Sequence, residues 1–499
     1  MKKLFITALS TATLLLSTVS CFDLTEKAYK ELPVKRWFND EKEIIMYAAR
    51  AYTILQQFPE EQRLWSLIEN ASDELVIPGR DNGEWWGQGR WDELHTHNYT
   101  ATNKMITRSW EFLYEGVMAC NEILYVLNDL TFTGKDQIFA EIKILRAYYY
   151  FQLGDNWGNI PFTIDFSDES LPHQKNREFL FDFLENEILD NVELLQTQTN
   201  TTNYGRITQG AAYTLLAKLY MSANEWIGTP KWQEAVEACQ AVIDLGVYSI
   251  EDDYFANFKV NNEKSKENIF VIPYNSILTK DRFYWWTLTL NSASRPTFEF
   301  IGEPWDGFVA EPTFMEIFDD NDLRKKSFLF GQQYDKKGDS IKVNGENFVY
   351  TISIGDYRAR KKWEGARCAK YEYQPSLEYY VTEMENDFVL YRYADVLYMK
   401  LEALWRMGRA SEYINDSELQ KIRTRAGMPV YTESDLTAEE LLAERGREFA
   451  WEGHRKNDQI RFGTWENAGW NKPVSSSTKR IFPIPMTALL SNPNLVQNP

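Results

Sequence analysis

From Gly79 to Asp92 the sequence reads GRDNGEWWGQGRWD, which sets the indole rings of Trp85, Trp86 and Trp91 beside Arg80, Asp81, Asn82, Gln88 and Arg90. Flat apolar faces bordered by directional hydrogen-bonding groups suit a ligand that is apolar on its faces and polar at its edges. Gly83, Gly87 and Gly89 free the backbone to place the rings. A second group of the same kind, Arg282, Tyr284, Trp285, Trp286 and Trp305, comes much later in the chain. If the two groups meet in space they make one stacking platform. If they do not, single tryptophans serve to plug loops onto the body of the protein.

Other chemistries find less material. Glu444, Glu448 and Glu452 recur every four residues among Arg445, Arg447, Arg455 and Lys456. Hydrolysis of a glycosidic bond asks for two carboxyl groups about 5 to 9 Å apart, one of them kept protonated. Neighbouring guanidiniums favour the charged form, so these acids are expected to make ion pairs on helix surfaces and between helices. The histidines are His95, His97, His173 and His454. Two residues apart, His95 and His97 suit a strand and not a helix face; no third ligand is near them, and no metal is expected. His454 is expected to serve as a structural hydrogen-bonding residue. GxSxG, P-loop and HExxH patterns are absent, so nothing calls for a cofactor or points to an enzyme.

The elements that must hold these groups are helical. Ile44, Ile45, Ala48, Tyr52 and Leu55 follow a helical period, as do Trp110, Leu113, Tyr114, Val117, Asn121 and Leu124 over 107–127. Residues 71–104 between them have no period and read as a loop. Helix returns over 140–153 and 179–195. Ala212, Leu215, Leu216, Leu219 and Tyr220 then share a face, as do Trp232, Ala235, Val236, Cys239, Val242 and Ile243. Joined by a short turn at Pro230, the two make a helical hairpin, the unit of a tetratricopeptide-like array. Residues 275–386 dissolve into an irregular insertion with strand-like pieces such as NFVYTISI, Asn347 to Ile354. Helix resumes at Ala394, Leu397, Leu401 and Leu404, and a last one starts at Thr437, with Glu440 completing a capping box.

Composition narrows the partners. A formal charge of −19 over 499 residues repels phosphate backbones, so nucleic acid is excluded as a partner. Aromatic residues make up 15%, with 17 Trp, more rings than core filling needs, which favours a binding protein. Lys2-Lys3, the apolar stretch Leu4 to Leu16 and small residues up to Ser20 form a secretory signal. Ser20-Cys21 looks like a bacterial lipobox boundary, at which Cys21 is acylated, although Thr18 stands where Leu is commoner. Acyl chains contribute roughly 0.8 kcal/mol per buried CH₂ and would anchor the protein to a membrane. Cys120, Cys239 and Cys368 remain, an odd number, and a disulfide framework is not expected.

Several strings resemble the SusD/RagB family of outer-membrane nutrient-binding lipoproteins. They are AEIKILRAYYYFQLGDNWGNIPF from Ala140, GRITQGAAYTLLAKLYM from Gly205, KWQEAVEACQAVIDLGVYSI from Lys231, KENIFVIPYN from Lys266, RYADVLYMKLEALWRMGR from Arg392, LQKIRTRAGMP from Leu419, ERGREFAWEGHRKNDQIRFG from Glu444 and the closing PIPMTALLSNPNLVQNP. Their order and spacing span nearly the whole chain after the signal.

The resemblance implies a mostly α fold: a tetratricopeptide-like helical-hairpin scaffold with an irregular, loop-rich insertion. The expected organisation is a signal peptide over 1–20, then the N-terminal part of the helical core over 21–274 with its Trp/Gly-rich loop at 71–104. The insertion over 275–386 and the C-terminal helices and Pro-rich tail over 387–499 complete it. It further implies an outer-membrane lipoprotein facing the cell exterior. Such a protein would capture an oligosaccharide, or alternatively a peptide or glycopeptide, and deliver it to a SusC-like TonB-dependent transporter. A surface glycoside hydrolase is a third reading. For a glycan, the rings of Trp85, Trp86, Trp91, Tyr284, Trp285, Trp286 and Trp305 would stack on sugar C–H faces, while Arg80, Asp81, Asn82 and Arg282 orient hydroxyls.

Overall fold

The computed structural model describes residues 38–80, 82–279, 282–355, 357, 363–374 and 384–498. The signal sequence, Cys21 and Asp81 lie outside the described residues. Two compact units divide after Ile44. Of the first, Phe38 to Ile44 is described and opens the helix Glu41–Leu55; the second carries the rest.

Fifteen α-helices among the described residues make the fold mostly α. Helices Lys104–Leu127, Lys135–Trp157, Arg177–Leu189, Gln209–Ile227 and Trp232–Asp244 pack each upon the next in chain order, the antiparallel hairpin array that the apolar periods predict. Local chemistry sets their ends. Asn103, Asn176 and Thr208 cap three of them by accepting from Met105, Phe179 and Ala211 backbone N–H groups. At Gly116 a Cβ would stand 2.3 Å from the Tyr149 ring, so only glycine lets the helices Lys104–Leu127 and Lys135–Trp157 close to this distance. Cys120, Cys239 and Cys368 are buried and unpaired, small apolar fillers of the core.

The chain leaves the array at strand Asn268–Ile272 and returns at strand Phe388–Arg392, and the two strands pair antiparallel. The ladder closes the base of the insertion, so a long irregular excursion begins and ends at one place. Helix Tyr393–Arg406 then packs back on Trp232–Asp244. Within the insertion strands are two residues long, as where Val349–Tyr350 pairs with Gly331–Gln332. No helix among the described residues is long and apolar enough to cross a membrane.

Two expectations need correction. Glu444 and Glu448 are fully buried, not on a helix surface. Arg324 reaches Glu444 at 2.9 Å and Glu448 at 3.1 Å, while Arg392 reaches Glu267 at 2.6 Å, Glu448 at 2.9 Å and Glu452 at 2.8 Å. Burial alone would push the Glu444 carboxyl up, but Arg324, Arg447 and Arg423 overcome it and hold the group well below the usual carboxylate range. The capping box is only half made. Thr437 Oγ1 accepts from Glu440 N at 3.1 Å, but the Glu440 carboxylate turns to Arg447 and Tyr431.

Candidate functional site

Strand Leu75–Val76 in the loop 71–104 pairs with Val309–Ala310 in the insertion, Leu75 opposite Ala310. This short ladder brings the two aromatic groups of the sequence together. The loop is also more ordered than its composition suggests. Arg80 N donates to Glu84 O at 2.8 Å, closing a tight turn, and Arg90–His95 is a helix.

Three rings converge at the surface: Trp85, Tyr284 and Trp305. The Trp85 and Trp305 ring centroids are 6.5 Å apart and tilted by 49°, and those of Tyr284 and Trp305 are 5.4 Å apart and tilted by 57°. Trp305 is 41% exposed. Its backbone is fixed from both sides, because its carbonyl accepts from Trp85 Nε1 at 2.6 Å and its N–H donates to Thr287 O at 2.6 Å. Trp85 adopts φ 60°, the left-handed region, and its ring lies where a Cβ on Gly307 would stand 2.4 Å away. A side chain at position 307 would therefore lift Trp85 from its seat.

Beneath the platform sits Phe308, fully buried, with Trp85 edge-on at 5.7 Å, Trp91 edge-on at 6.1 Å and Trp65 stacked at 5.7 Å. Trp91 and Trp285 are each 1% exposed and Trp286 is 2% exposed, so none offers a ring face to a solute. Trp285 packs on Trp65 at 5.0 Å and Trp451 at 5.6 Å, and Trp286 on Phe298 at 5.2 Å. For these three the expectation of direct stacking gives way to one of support. Trp86 is half-buried against Val76, Val309, Ile354 and Tyr357.

The polar residues divide in the same way. Arg80 is 1% exposed and ion-paired to Asp306 at 2.8 Å, with Arg367 on the same carboxylate at 2.8 Å. Burial lowers its pKa to about 9 against the pull of Asp306. Arg80 therefore braces the residue next to Trp305 and does not face solvent. Asn82 is exposed, its Oδ1 accepting from Glu84 N at 3.1 Å. Arg282 is exposed and paired with Glu60 at 2.6 Å. The Tyr284 hydroxyl accepts from Glu61 N at 3.2 Å.

Residues 60–63 thus join the site unannounced, with Gln62 donating to Glu61 Oε1 at 2.9 Å and Arg108 donating to Gln62. The sequence signal was a short charged run, Glu60-Glu61-Gln62-Arg63, just before the helix Leu64–Asn70, which ordinarily reads as solvated surface. Gly307 and Phe308 carried no signal that periodicity reads.

The buried His95, His97 and His454 make structural hydrogen bonds, His95 Nε2 to Trp470 O at 2.8 Å. His97 Nε2 donates to Ala71 O at 2.9 Å, which leaves Nδ1 to accept from Ser475 Oγ at 2.9 Å. Burial pushes the ring down to about 3. His454 Nδ1 accepts from Lys218 Nζ at 3.1 Å.

A helical-repeat scaffold with ring faces gathered on a loop-bearing surface is the build of a binding protein. Residues 245–499 match the model of the SusD family, and residues 24–221 match a model described as starch-binding associating with outer membrane. The chain belongs to the SusD family. The starch-binding protein SusD of Bacteroides thetaiotaomicron is 24% identical over 407 residues, 72% of each chain. Surface glycan-binding protein A of the same organism, solved in complex with laminarihexaose, superposes with a TM-score of 0.71 at 22% identity over 92% of this chain and 99% of that one. A laminarin-binding SusD-like protein superposes with a TM-score of 0.75 at 21% identity, over 93% and 100%. At these identities the structural likeness speaks for the fold.

Proposed function

We propose that this protein captures an oligosaccharide on the platform formed by Trp85, Tyr284 and Trp305. The convergence of three ring faces from two distant segments, braced on Phe308, is the observation that carries the reading. The rings stack on sugar C–H faces, and Asn82 and Arg282 direct hydroxyls at the rim; the part expected of Asp81 lies outside the described residues. Starch and laminarin oligosaccharides bound by its relatives make a glycan the better-supported class over a peptide. Binding of this kind needs no general acid, and the guanidinium-held Glu444 is unsuited to be one.

Acylation at Cys21 would anchor the protein to the outer membrane, facing the exterior, where a SusC-like TonB-dependent transporter would receive the glycan. The outer-membrane association in the description of the matching model supports this placement. The test of the site is calorimetric titration with laminarihexaose, malto-oligosaccharides and a wider glycan panel, preceded by an array screen. Saturable binding of a glycan, lost in Trp305→Ala, is expected. Binding of peptides alone would overturn the reading. For the anchor, Cys21→Ala is expected to yield exported protein freed from the membrane fraction.

A further inference from the structure

A cavity of about 290 Å³ opens beside the helices Gln209–Ile227 and Arg455–Arg461 and shares no residue with the platform. Its lining gathers Arg177, Arg406, Arg461 and Arg480 against only two acids, Asp155 and Glu225, in a chain whose formal charge is −19. The acids of its walls are shared. Glu402 accepts from Arg406 Nε at 2.8 Å and from Arg461 Nε and Nη2, both at 2.7 Å. Asp458 accepts from Arg461 Nη2 at 2.7 Å and from Arg445 Nε at 2.8 Å. Glu225 accepts from Arg480 Nη1 at 2.7 Å and lies 3.6 Å from Arg177 Nη1, and Glu466 takes Arg480 Nε.

After these pairings Arg406 Nη1, Arg461 Nη1 and Arg480 Nη2 donate to no protein atom among the described residues. The guanidiniums are nonetheless held in place, Arg406 lying 4.8 Å over the ring of Trp232 and 4.8 Å over that of Phe462. Burial lowers the Arg177 pKa, with Arg480 adding to the effect against Asp155 and Glu225, whereas Glu402 and Asp458 overcome burial and raise that of Arg461, and the bond to Glu466 raises that of Arg480. Two further lining side chains, the amides of Asn224 and Asn457, also have no hydrogen-bond partner among the described residues.

We propose that this cavity is a second binding site, for a small organic acid of sugar size such as a hexuronate, whose carboxylate sits on the free guanidinium edges. Guanidinium N–H groups held in place by their other pairings favour a carboxylate, whose two oxygens can accept from different guanidiniums. The volume stands at the lower end of the ligand-pocket range, roughly 300 Å³, more than a single inorganic anion fills. The amides of Asn224 and Asn457 supply neutral partners for hydroxyls, which an inorganic anion does not have.

The test titrates the purified protein separately with galacturonate, glucuronate, galactose and inorganic phosphate, with thermal melts in parallel. Saturable binding of a hexuronate is expected, with no heat from galactose. Asn224→Glu brings an acid to the lining at an exposed helix position that makes no ion pair. It should leave the protein folded, with an unliganded melt no lower than that of the wild type, and weaken the hexuronate about tenfold or more, since like charges oppose binding. Trp305→Ala should retain binding, because the two sites are separate. Absence of hexuronate binding, equal binding of galactose, binding of phosphate alone, or undiminished binding by a folded Asn224→Glu variant would each overturn the proposal.

Discussion

Tyr284 and Trp285 are adjacent in sequence and live in different surroundings. Tyr284 turns its ring to Trp305 at the surface, while Trp285 opens the helix Trp285–Thr289 and is packed among Trp65, Trp451 and Tyr371. Outer and inner rings meet at Phe308, which touches Trp85 on one side and Trp65 on another. The contrast teaches that aromatic density marks a region, whereas the turn of the backbone at each residue decides whether a ring reaches the surface or packs into the floor beneath it.

Substitution on the inner side should have the largest effect. Trp285→Ala removes a fully buried indole, and losses of this kind cost about 3–5 kcal/mol of stability. Denaturant unfolding should show that loss, while the folded fraction binds glycan as tightly as the wild type. A variant of normal stability with lost affinity would break the division between floor and platform.

On the outer side the signs exchange. Trp305→Ala should cost about 2 kcal/mol of glycan affinity, a loss of about thirtyfold, with the melting temperature little changed. Calorimetric titration beside thermal melts reads both. Gly307→Ala should act in the same direction by displacing Trp85 from a seat that has no room for a Cβ. Should Trp305→Ala bind normally, the platform would not be the contact surface.

The helical scaffold was legible because its signal is local and repeated. Ala235, Cys239 and Val242 recur at helical spacing, and all three are buried as that period requires. The meeting of the two aromatic groups was not legible, because it depends on Leu75 pairing with Ala310, a long-range register without a periodic trace. Sequence singled out the segments of Trp85, Tyr284 and Trp305, whose rings lie together, but could not separate these three from the buried Trp91, Trp285 and Trp286. The same limit left Glu444 and Glu448 open between helix-surface and inter-helix ion pairing, of which the structure shows the second: an alternation of acids and arginines looks alike whether water or other side chains complete the pairs.

A third prediction asks whether the inner side answers to pH while the platform does not. Glu69 and Glu74 are buried with their carboxyl groups in contact; Glu69 accepts from Gly453 N, and Glu74 accepts from Trp451 N at 2.6 Å. Lys370, Glu452, Asp73 and Arg455 face the pair. Burial pushes Glu69 up to about 8 from an ordinary value of 4.5 and raises Glu74 as well. The folded state then holds more protons than the unfolded one between those values, so the pair's contribution to stability is full below 4.5 and is lost as pH rises towards 8. The slope is at most about 1.4 kcal/mol per pH unit for each proton. Buried His95, His97 and His454, all pushed down by burial, act oppositely below 6.5, so the comparison must be with a variant. Relative to wild type, Glu69→Gln should gain stability steadily from pH 5 to 8, and glycan affinity of both proteins should stay level. A constant difference between the two melting curves would remove the proton-sharing pair from the account.

The smallest effect belongs to the rim. Arg282 is exposed and pairs with Glu60 at 2.6 Å, and an exposed ion pair is worth about 0–1 kcal/mol, so Arg282→Ala should leave the melt nearly where it was. The part proposed for it in recognition is a single hydrogen bond to a sugar hydroxyl, which would have a net value of about 1 kcal/mol, or about fivefold in affinity. Salt separates the two contributions. The pair with Glu60 weakens as ionic strength rises, whereas a hydrogen bond to a neutral sugar is little screened. The fivefold difference between wild type and Arg282→Ala should therefore persist from low to high salt. If the difference vanishes at high salt, Arg282 acts only by holding Glu60, and the rim belongs with the floor, as a brace for the rings and not a contact to the ligand.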